Sequence, residues 1–357
     1  MGGERGAKVG RVGLRLGRLG GVGRRRFWRH WCAVALAATL LAAAAACSDD
    51  SGPGASTTAS AGTSSTNVAD LRAAILADLP VIDGSTSTEP MRMLLVCGLV
   101  ATPCDWTGDP AYSPERWVRP RDPDSDPAQR VVEHVVTSGT HDSYLSLVAG
   151  ASDVIVVARA PSDEEQAAAE AAGIGLEVKA VALDAFVFLV NGGSPVGDLT
   201  IDQIRGIYSG RITDWSQLGG PALAIQPYQR DPTSGSQELM LRLVMGDLAM
   251  VEAPDWLMLY AMIGPFNALA TDPGGIGYSV YYYAEFMQPE SNAVRMIAVE
   301  GVFPTAVTIS TGEYPLVAEV YAVVRSGEFG SARAFFDWLT TDDGQQAVAA
   351  TGYVPLP

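Results

Sequence analysis

Basic side chains, histidine and cysteine are scarce in this sequence of 357 residues. It carries 24 Lys/Arg against 40 Asp/Glu, for a net charge of −16. Residues 1–46 hold nine of the basic side chains and one acidic one, so the remainder has a charge of about −24. Because nucleic acids bind clustered basic residues, this acidic body excludes a nucleic-acid partner. An anion site in such a body must act at short range, through backbone N–H groups and a few arginines.

Histidine and cysteine are too few to favour metal or nucleophilic chemistry. Beyond residue 47 the sequence holds two histidines, His134 and His141, and two cysteines, Cys97 and Cys104. No nucleophile motif accompanies the histidines, so we expect a protein without catalytic residues rather than an enzyme. Soft ligands are too sparse around the cysteines to predict a zinc site, and no cofactor is expected.

One long apolar run occurs, from Trp31 to Ala46, and it is short for a membrane span. It follows the basic residues 24–29 (RRRFWR) and ends at Cys47, so residues 1–47 are predicted to be an export signal. Its end (AAAC) resembles a bacterial lipobox with Cys47 as the lipidated residue, although Ala44 replaces the usual larger aliphatic residue. Cleavage without lipidation is the alternative. The basic stretch resembles a twin-arginine signal, and a simple basic region explains it equally well.

Residues 48–68 are rich in Ser, Thr, Gly and Ala, which is typical of a flexible linker. Export places the body in an oxidising compartment, where Cys97 and Cys104 are predicted to form a disulfide. The segment 97–129 is rich in Pro and Asp and has little periodicity. We interpret it as a long surface excursion held by that disulfide.

Strand and helix patterns alternate along the rest of the chain. Residues 131–136 and the apolar run 185–190 (AFVFLV) are predicted strands, and residues 332–350 form a closing helix pattern. No repeat of fixed period is present. The alternation predicts an α/β fold with mainly parallel sheets.

The most informative segment is residues 229–238 (QRDPTSGSQE), where Arg230 stands four positions ahead of Ser234-Gly235-Ser236. A glycine at such a turn exposes its backbone N–H, and the two serines add hydroxyl groups at the start of a helix. A guanidinium can grip two oxygens at once. The segment therefore predicts a cradle for a small oxyanion, and the alternative is a capped helix beside a surface arginine.

Together with six further motifs, this segment resembles the PstS-like family, the phosphate-binding lipoproteins of bacterial ABC importers. The resemblance covers roughly residues 80–357. Its motifs are residues 83–91 (DGSTSTEPM), 139–141 (GTH) with 147–153 (LVAGASD), 207–215 (IYSGRITDW), Arg230 with 234–236 (SGS), 275–278 (GIGY), 314–316 (YPL), and 344–345 (GQ) with 352–356 (GYVPL).

The resemblance implies a two-lobed type II periplasmic-binding-protein fold, with two crossover hinge strands and the anion in the cleft between the lobes. Residues 69–184 and 279–357 would form lobe one, and residues 185–278 would form lobe two. The hinge candidates are residues 187–190 and 276–280.

Carried over residue by residue, the family's ligand contacts fall on both lobes. The resemblance assigns them to Thr86, Ser87, Thr140, Arg230, Ser234, Gly235 and Ser236. For Thr86, Ser87 and Thr140 the alternative role is helix capping.

One departure from the family pattern affects selectivity. Phosphate-binding members often hold an aspartate that accepts the ligand's proton, and Ala158 occupies that position here. Without this acceptor, discrimination against sulfate is in doubt, and Asp142, Asp231 or Glu89 would have to replace it.

The neighbouring Arg159 has two interpretations. Arg159 and Asp142 are further candidates for ligand contact. Alternatively, Arg159 forms a salt bridge with Asp163 or Glu164.

The resemblance implies a monomeric lipoprotein, anchored by Cys47 to the outer face of the cell membrane. It would bind phosphate or a similar oxyanion and deliver it to the permease of an ABC importer. Two alternatives remain open at this stage. One is a surface sensor or interaction lipoprotein on the same scaffold, and the other is a binder of sulfate, a phosphate ester or an organic acid.

Overall fold

The computed structural model describes residues 68–108, 116–288 and 292–357, which lie in one compact unit. The predicted signal peptide, the predicted lipidation site Cys47 and the predicted linker up to residue 67 lie outside the described residues. Within the described ranges, no helix is both long and apolar enough to cross a bilayer.

Helices and strands alternate along the described chain. Helices α1 to α11 are Val68–Ala77, Glu89–Leu99, Asp126–His134, Thr140–Val148, Asp163–Ala171, Ile201–Tyr208, Gly235–Leu239, Gly264–Thr271, Ala306–Ser310, Gly330–Trp338 and Asp342–Ala350. Strands β1 to β13 are Ile82–Gly84, Cys104–Thr107, Trp117–Pro120, Val154–Val157, Leu176–Asn191, Asp198–Leu199, Gln226–Pro227, Gln229–Arg230, Met258–Leu259, Gly275–Val280, Val294–Met296, Ala298–Val299 and Val317–Arg325.

The central sheet has the order β1-β4-β13-β5-β10-β7, with β11 also pairing with β5. Strand β5 is 16 residues long and pairs along its length first with one strand and then with another. Its residues 176–185 pair with β13, and its residues 186–190 pair with β10. Two groups of strands therefore meet at Ala185 and Phe186, beside the predicted start of lobe two.

The pairing in this sheet is mixed. The parallel pairs that the sequence predicts lie at its two ends, where β1 joins β4 and β10 joins β7. The strands in the middle, β4, β13, β5 and β10, pair antiparallel. The antiparallel pairs arise because β13 runs opposite to both β4 and β5, and β5 in turn runs opposite to β10.

Two strands beyond residue 278 pair with strands in the range predicted for lobe two. Strand β11 pairs antiparallel with residues 189–191 of β5, and β12 pairs with β6. Both partners belong to the range predicted for lobe two, although residues 279–357 were assigned to lobe one. After β10 the chain thus pairs again with the far half of β5, which still offers a free edge, and the division into lobes stays a prediction.

The two predicted hinge segments are direct neighbours. Residues 187–190 and 276–280 belong to β5 and β10, and their register joins Val190 to Ile276 and Phe186 to Val280. Every residue of β10 is buried. Their role as hinges stays a prediction.

The predicted excursion 97–129 contains regular structure. A disulfide joins Cys97 in α2 to Cys104 in β2, with a Cα–Cα distance of 6.2 Å, which confirms the predicted bridge. Strands β2 and β3 then pair antiparallel as a hairpin, in register from Cys104 with Pro120 to Thr107 with Trp117.

The predicted strand 131–136 is wrong, since residues 126–134 form helix α3. Pro127 lies in its first turn, where a missing N–H costs nothing. Its buried residues, Ala128 and Val131, have helical spacing. Only Val135, just beyond the helix, forms a bridge with Ile82.

Candidate functional site

The candidate site is a cavity of about 370 Å³ that collects residues distant in sequence. One side is formed by the first loop (residues 85–87, after β1) and the second loop (residues 138–142, into α4). The other side is formed by the clamp (residues 230–236) and by residues 260–262. Trp117, Ala158 and Val280 complete the lining.

A buried arginine holds the first loop in place through hydrogen bonds. Arg92 in α2 is fully buried, and its guanidinium donates to the Ser85 carbonyl (3.0 Å) and the Val136 carbonyl (2.9 Å). It also donates to Thr137 Oγ1 at 2.7 Å. Burial lowers the pKa of Arg92 to about 10. Its hydrogen bonds hold the first loop against the segment that leads into the second.

Asp83, which lies in β1 just before the first loop, is hydrogen-bonded to the second loop. Its Oδ1 accepts the Ser138 N–H at 2.9 Å, and its Oδ2 accepts the Ser138 hydroxyl at 2.6 Å. Ser85 Oγ lies 2.8 Å from Thr140 Oγ1 and accepts the Ala158 N–H at 3.0 Å. The hydroxyl groups of this wall are thus placed by hydrogen bonds within the protein.

Helix α4 directs its first turn at the cavity. It begins at Thr140, and the preceding Gly139 has a φ of 98°, a conformation that favours glycine. No side chain caps this end, although Thr140, His141 and Asp142 all line the cavity. The first N–H groups of a helix have no partner within it, so this end offers donors and a partial positive charge to an anion.

Arg230 supplies a buried positive charge on the opposite side. Its side chain is nearly inaccessible to solvent, with 4% of the residue exposed. The guanidinium donates to the carbonyls of Leu259 (2.9 Å) and Tyr260 (3.4 Å), and Nη1 lies 3.1 Å from Met262 Sδ. In the described part of the chain it forms no ion pair with a carboxylate. Burial accordingly lowers its pKa, which means that an anion in the cavity would stabilise it.

The backbone of Arg230 is fixed by side chains behind the clamp. Its N–H donates to Tyr278 Oη at 3.0 Å and to Gln237 Oε1 at 3.2 Å. Tyr278 in turn donates to Gln237, and burial raises its pKa. This network positions the arginine from β10 and α7.

The clamp touches the second loop at Gly235. A Cβ placed on Gly235 would lie 2.5 Å from Thr140 Oγ1, so only glycine fits there without a shift. Ser234 and Ser236 flank it and also line the cavity. Ser236 Oγ has a weak contact with Met262 Sδ at 3.7 Å. The two sides of the cavity are therefore already in contact at this point.

The structure does not bring Arg159 to the cavity. Its guanidinium makes a buried pair of 2.7 Å hydrogen bonds with Glu165, and His141 Nδ1 lies 3.1 Å from the same carboxylate. A salt bridge was the predicted alternative for Arg159, with Asp163 or Glu164 as its partner. The partner is Glu165, because that residue closes a capping box with Ser162 and its side chain turns back under the helix start.

The three carboxylates named as substitutes for the missing acceptor lie at different positions. Asp142 and Asp231 line the cavity, and Asp231 Oδ1 also accepts the Thr233 N–H at 3.1 Å. Glu89 does not line it, since it is buried against Arg119 at the start of α2. Ala158, for which the resemblance implied a missing acceptor, also lines the cavity.

Of the predicted contact residues, all but Arg159 line one cavity: Thr86, Ser87, Thr140, Asp142, Arg230, Ser234, Gly235 and Ser236. Sequence reasoning missed Ser85, which lies within the motif 83–91, and Ser138, which directly precedes the motif 139–141. It also missed Trp117 and Tyr260, which lie in segments without a recognisable motif. Among the residues that the structure describes, no group of His, Cys, Asp and Glu could hold a metal ion.

The sequence is similar to known binding proteins. It is 27% identical over 188 residues to the phosphate-binding protein PstS of Bacillus subtilis, a match that spans 51% of this chain and 60% of that protein. It is 25% identical over 230 residues to PstS of Staphylococcus saprophyticus, which spans 62% of this chain and 70% of that protein.

Solved structures share the fold. A putative phosphate ABC transporter substrate-binding protein with bound phosphate from Clostridium perfringens has a TM-score of 0.58 at 21% identity, covering 77% of this chain and 98% of its own. An ABC-type phosphate transport receptor from Vibrio cholerae has a TM-score of 0.54 at 20% identity, covering 77% and 99%. These similarities confirm the predicted two-lobed α/β fold. The family described as "PBP superfamily domain" matches residues 125–343, and the chain belongs to that family.

Proposed function

We propose that this chain binds phosphate or a phosphate-like oxyanion in the cavity and delivers it to an ABC importer. The observation that carries the proposal is Arg230, a buried cation that lines the cavity and has no carboxylate partner among the described residues. The names of the relatives in Bacillus subtilis and Staphylococcus saprophyticus support the same ligand.

In the proposed complex the anion lies between the two loops and the clamp. Thr86, Ser87 and Thr140 donate from one side, and the guanidinium of Arg230 grips two oxygens from the other. Ser234, the Gly235 N–H and Ser236 close around the remaining oxygens. Because both sides contribute donors, the bound anion favours the closed arrangement of the lobes, which a permease would recognise.

We propose binding without catalysis. His141 lines the cavity, but its Nδ1 faces Glu165, which is already engaged by Arg159. His141 therefore interacts with the buried Arg159–Glu165 ion pair rather than with a serine of the cavity. This arrangement suits a structural role beside the second loop and gives no activated nucleophile.

We further propose export and anchoring through a lipidated Cys47, with the monomer at the outer face of the cell membrane. The motif around Cys47 supports this, and the disulfide between Cys97 and Cys104 agrees with an oxidising compartment. Mass spectrometry of membrane-extracted protein should find Cys47 as the modified N-terminal residue. A mature chain that begins elsewhere, or an unmodified Cys47, contradicts the anchor.

The binding proposal is tested by calorimetric titration of the full chain in detergent with phosphate, sulfate and acetate at two pH values. We expect a single saturable site for the tetrahedral anions and little heat with acetate. Absence of binding by every tetrahedral anion would overturn the proposal. Binding without loss of phosphate import in a deletion strain would instead favour the sensor alternative.

A further inference from the structure

The cavity is larger than an inorganic oxyanion needs. Its volume of about 370 Å³ falls within the range of roughly 300–1,000 Å³ that is typical of pockets for small organic molecules. A five-atom oxyanion fills the space of only a few water molecules, at ~30 Å³ each. The excess is not explained by separated lobes, because Gly235 already packs against Thr140.

The lining of the cavity contains polar donors, the carboxylates of Asp142 and Asp231, and an apolar wall. The donors are the hydroxyl groups and N–H groups of the two loops and the clamp, together with Arg230. The apolar wall consists of Trp117, Tyr260, Ala261 and Met262. Met262 Sδ and the Tyr260 backbone carbonyl contact the guanidinium of Arg230, so the side chain of Met262 brings the apolar wall next to the place where the anion would bind. A ligand that used both regions would carry an organic group attached to its oxyanion.

Trp117 is held firmly in this wall. It lies in β3, whose partner β2 is tied to α2 by the disulfide. Arg119 forms an ion pair with the buried Glu89, and its guanidinium carbon lies 5.7 Å from the centre of the Trp117 ring. On the other flank, the Arg116 N–H donates to the Met287 carbonyl at 2.8 Å. An indole fixed in this way offers a preorganised face to a ligand.

The chemistry at Ala158 favours an esterified anion over a free one. Ala158 presents a methyl group to the cavity, and its N–H is already bonded to Ser85 Oγ. Inorganic phosphate keeps a proton at neutral pH, which needs an acceptor. A phosphate monoester, whose second pKa is about 6, has lost that proton, so all its terminal oxygens accept hydrogen bonds. The donors around Ala158 suit the ester.

We propose that the preferred ligand is a phosphate monoester of a small organic molecule, with its phosphoryl group on Arg230 and its organic part against Trp117. This inference rests on the proposed function, because it places the phosphoryl group in the same anion site. It adds Trp117 as the residue that determines specificity.

The test compares inorganic phosphate, glycerol phosphate and phenyl phosphate in calorimetric titrations of the full chain in detergent. We expect phenyl phosphate to bind about tenfold more tightly than inorganic phosphate, since a stacked aromatic pair contributes on the order of a tenfold change in affinity. Trp117→Ala should remove most of this advantage, so that the ratio of the two dissociation constants falls towards one. Trp117→Phe should retain part of it.

Trp256→Ala is the matched control, because Trp256 is 62% exposed and lies outside the cavity lining. It should leave both affinities unchanged. Equal or weaker binding of phenyl phosphate by the unmodified protein overturns the inference without needing a variant, and leaves the proposed function intact. An equal loss for both ligands in Trp117→Ala also overturns it. If neither ligand binds, the proposed function itself fails.

Discussion

At the scale of single residues, the cavity depends on two buried arginines with different surroundings. Arg92 meets several oxygen acceptors from the loops it braces, whereas Arg230 meets two carbonyls and a thioether. A desolvated guanidinium with so little compensation is destabilising unless an anion joins it. The difference indicates that Arg92 serves the fold and that Arg230 serves the ligand.

Arg230→Ala should therefore weaken phosphate binding by about 2–4 kcal/mol, because it removes a charge-assisted contact with two oxygens. Stability without ligand should be unchanged or higher, since a buried unpaired charge is removed. Calorimetry and thermal unfolding measure the two effects. Arg211→Ala, at an exposed position, is the control. Unchanged anion affinity in a folded Arg230→Ala protein would exclude the clamp.

Ala158 leads to a prediction about selectivity. Donors and arginines accept sulfate and phosphate alike, and only an acceptor that needs a ligand proton separates them strongly. We expect sulfate to compete visibly with phosphate in the unmodified protein. Ala158→Asp should reduce that competition, measured as the ratio of the two dissociation constants. If a large excess of sulfate has no effect on the unmodified protein, then Asp142 or Asp231 supplies the acceptor, since both line the cavity.

The sequence predicts those residues of the cavity that belong to a short continuous motif. The hydroxyl groups of the first loop and the clamp follow from short segments such as residues 83–91 and 234–236. Arg159 could not be assigned in this way, because several acids follow it and only the folded helix start selects Glu165. Trp117 could not be predicted as a cavity residue either, because the hairpin places it beside loops that are distant in sequence.

At the scale of elements, helix α3 and the β2–β3 hairpin show how local sequence patterns mislead. Valines at 131, 132, 135 and 136 favour a strand by propensity, yet the chain forms α3. The stronger signals were Ser125 before the helix and Pro127 in its first turn. The hairpin itself left no clear period-2 pattern, because strands β2 and β3 have only four residues each.

The disulfide is the element that holds this hairpin to α2. Its cysteines are seven positions apart, and closing so short a loop contributes about 2.5 kcal/mol in the chain-entropy account. The double variant Cys97→Ser/Cys104→Ser should lose roughly that free energy of unfolding in urea titrations. A reducing agent should destabilise the unmodified protein and leave the double variant unchanged, which provides the control. Equal stability of both proteins under oxidising conditions would contradict the prediction.

At the scale of the whole molecule, β5 connects the two groups of strands. The apolar run 185–190 predicted a buried strand, and the family resemblance placed the start of lobe two there. Neither predicted that the strand would continue from Leu176 to Asn191. Nor could the sequence show that β11 returns to β5, because that pairing depends on which edge remains free after β10 has docked.

Asp184 lies in β5 at this junction, and it leads to a prediction about pH. It is 2% exposed, and its Oδ1 accepts the N–H groups of Ala185 (2.8 Å) and Tyr282 (3.0 Å). Its Oδ2 has no hydrogen-bond partner among the described residues. Burial raises the pKa of Asp184 to about 7, so between pH 4 and 7 the folded state holds a proton that the unfolded state has lost.

The contribution of Asp184 to stability should therefore be greatest at low pH and should decline as the pH rises towards about 7, by up to roughly 4 kcal/mol. Asp184→Asn keeps an acceptor for the two N–H groups and cannot ionise. We expect its free energy of unfolding, relative to that of the unmodified protein, to increase from pH 5 to about pH 7 and to level off by pH 8 in denaturant titrations. Asp247→Asn, at an exposed position, should show no such trend. A difference that stays constant across this range would mean that Asp184 does not titrate there, and that the junction tolerates a buried carboxylate.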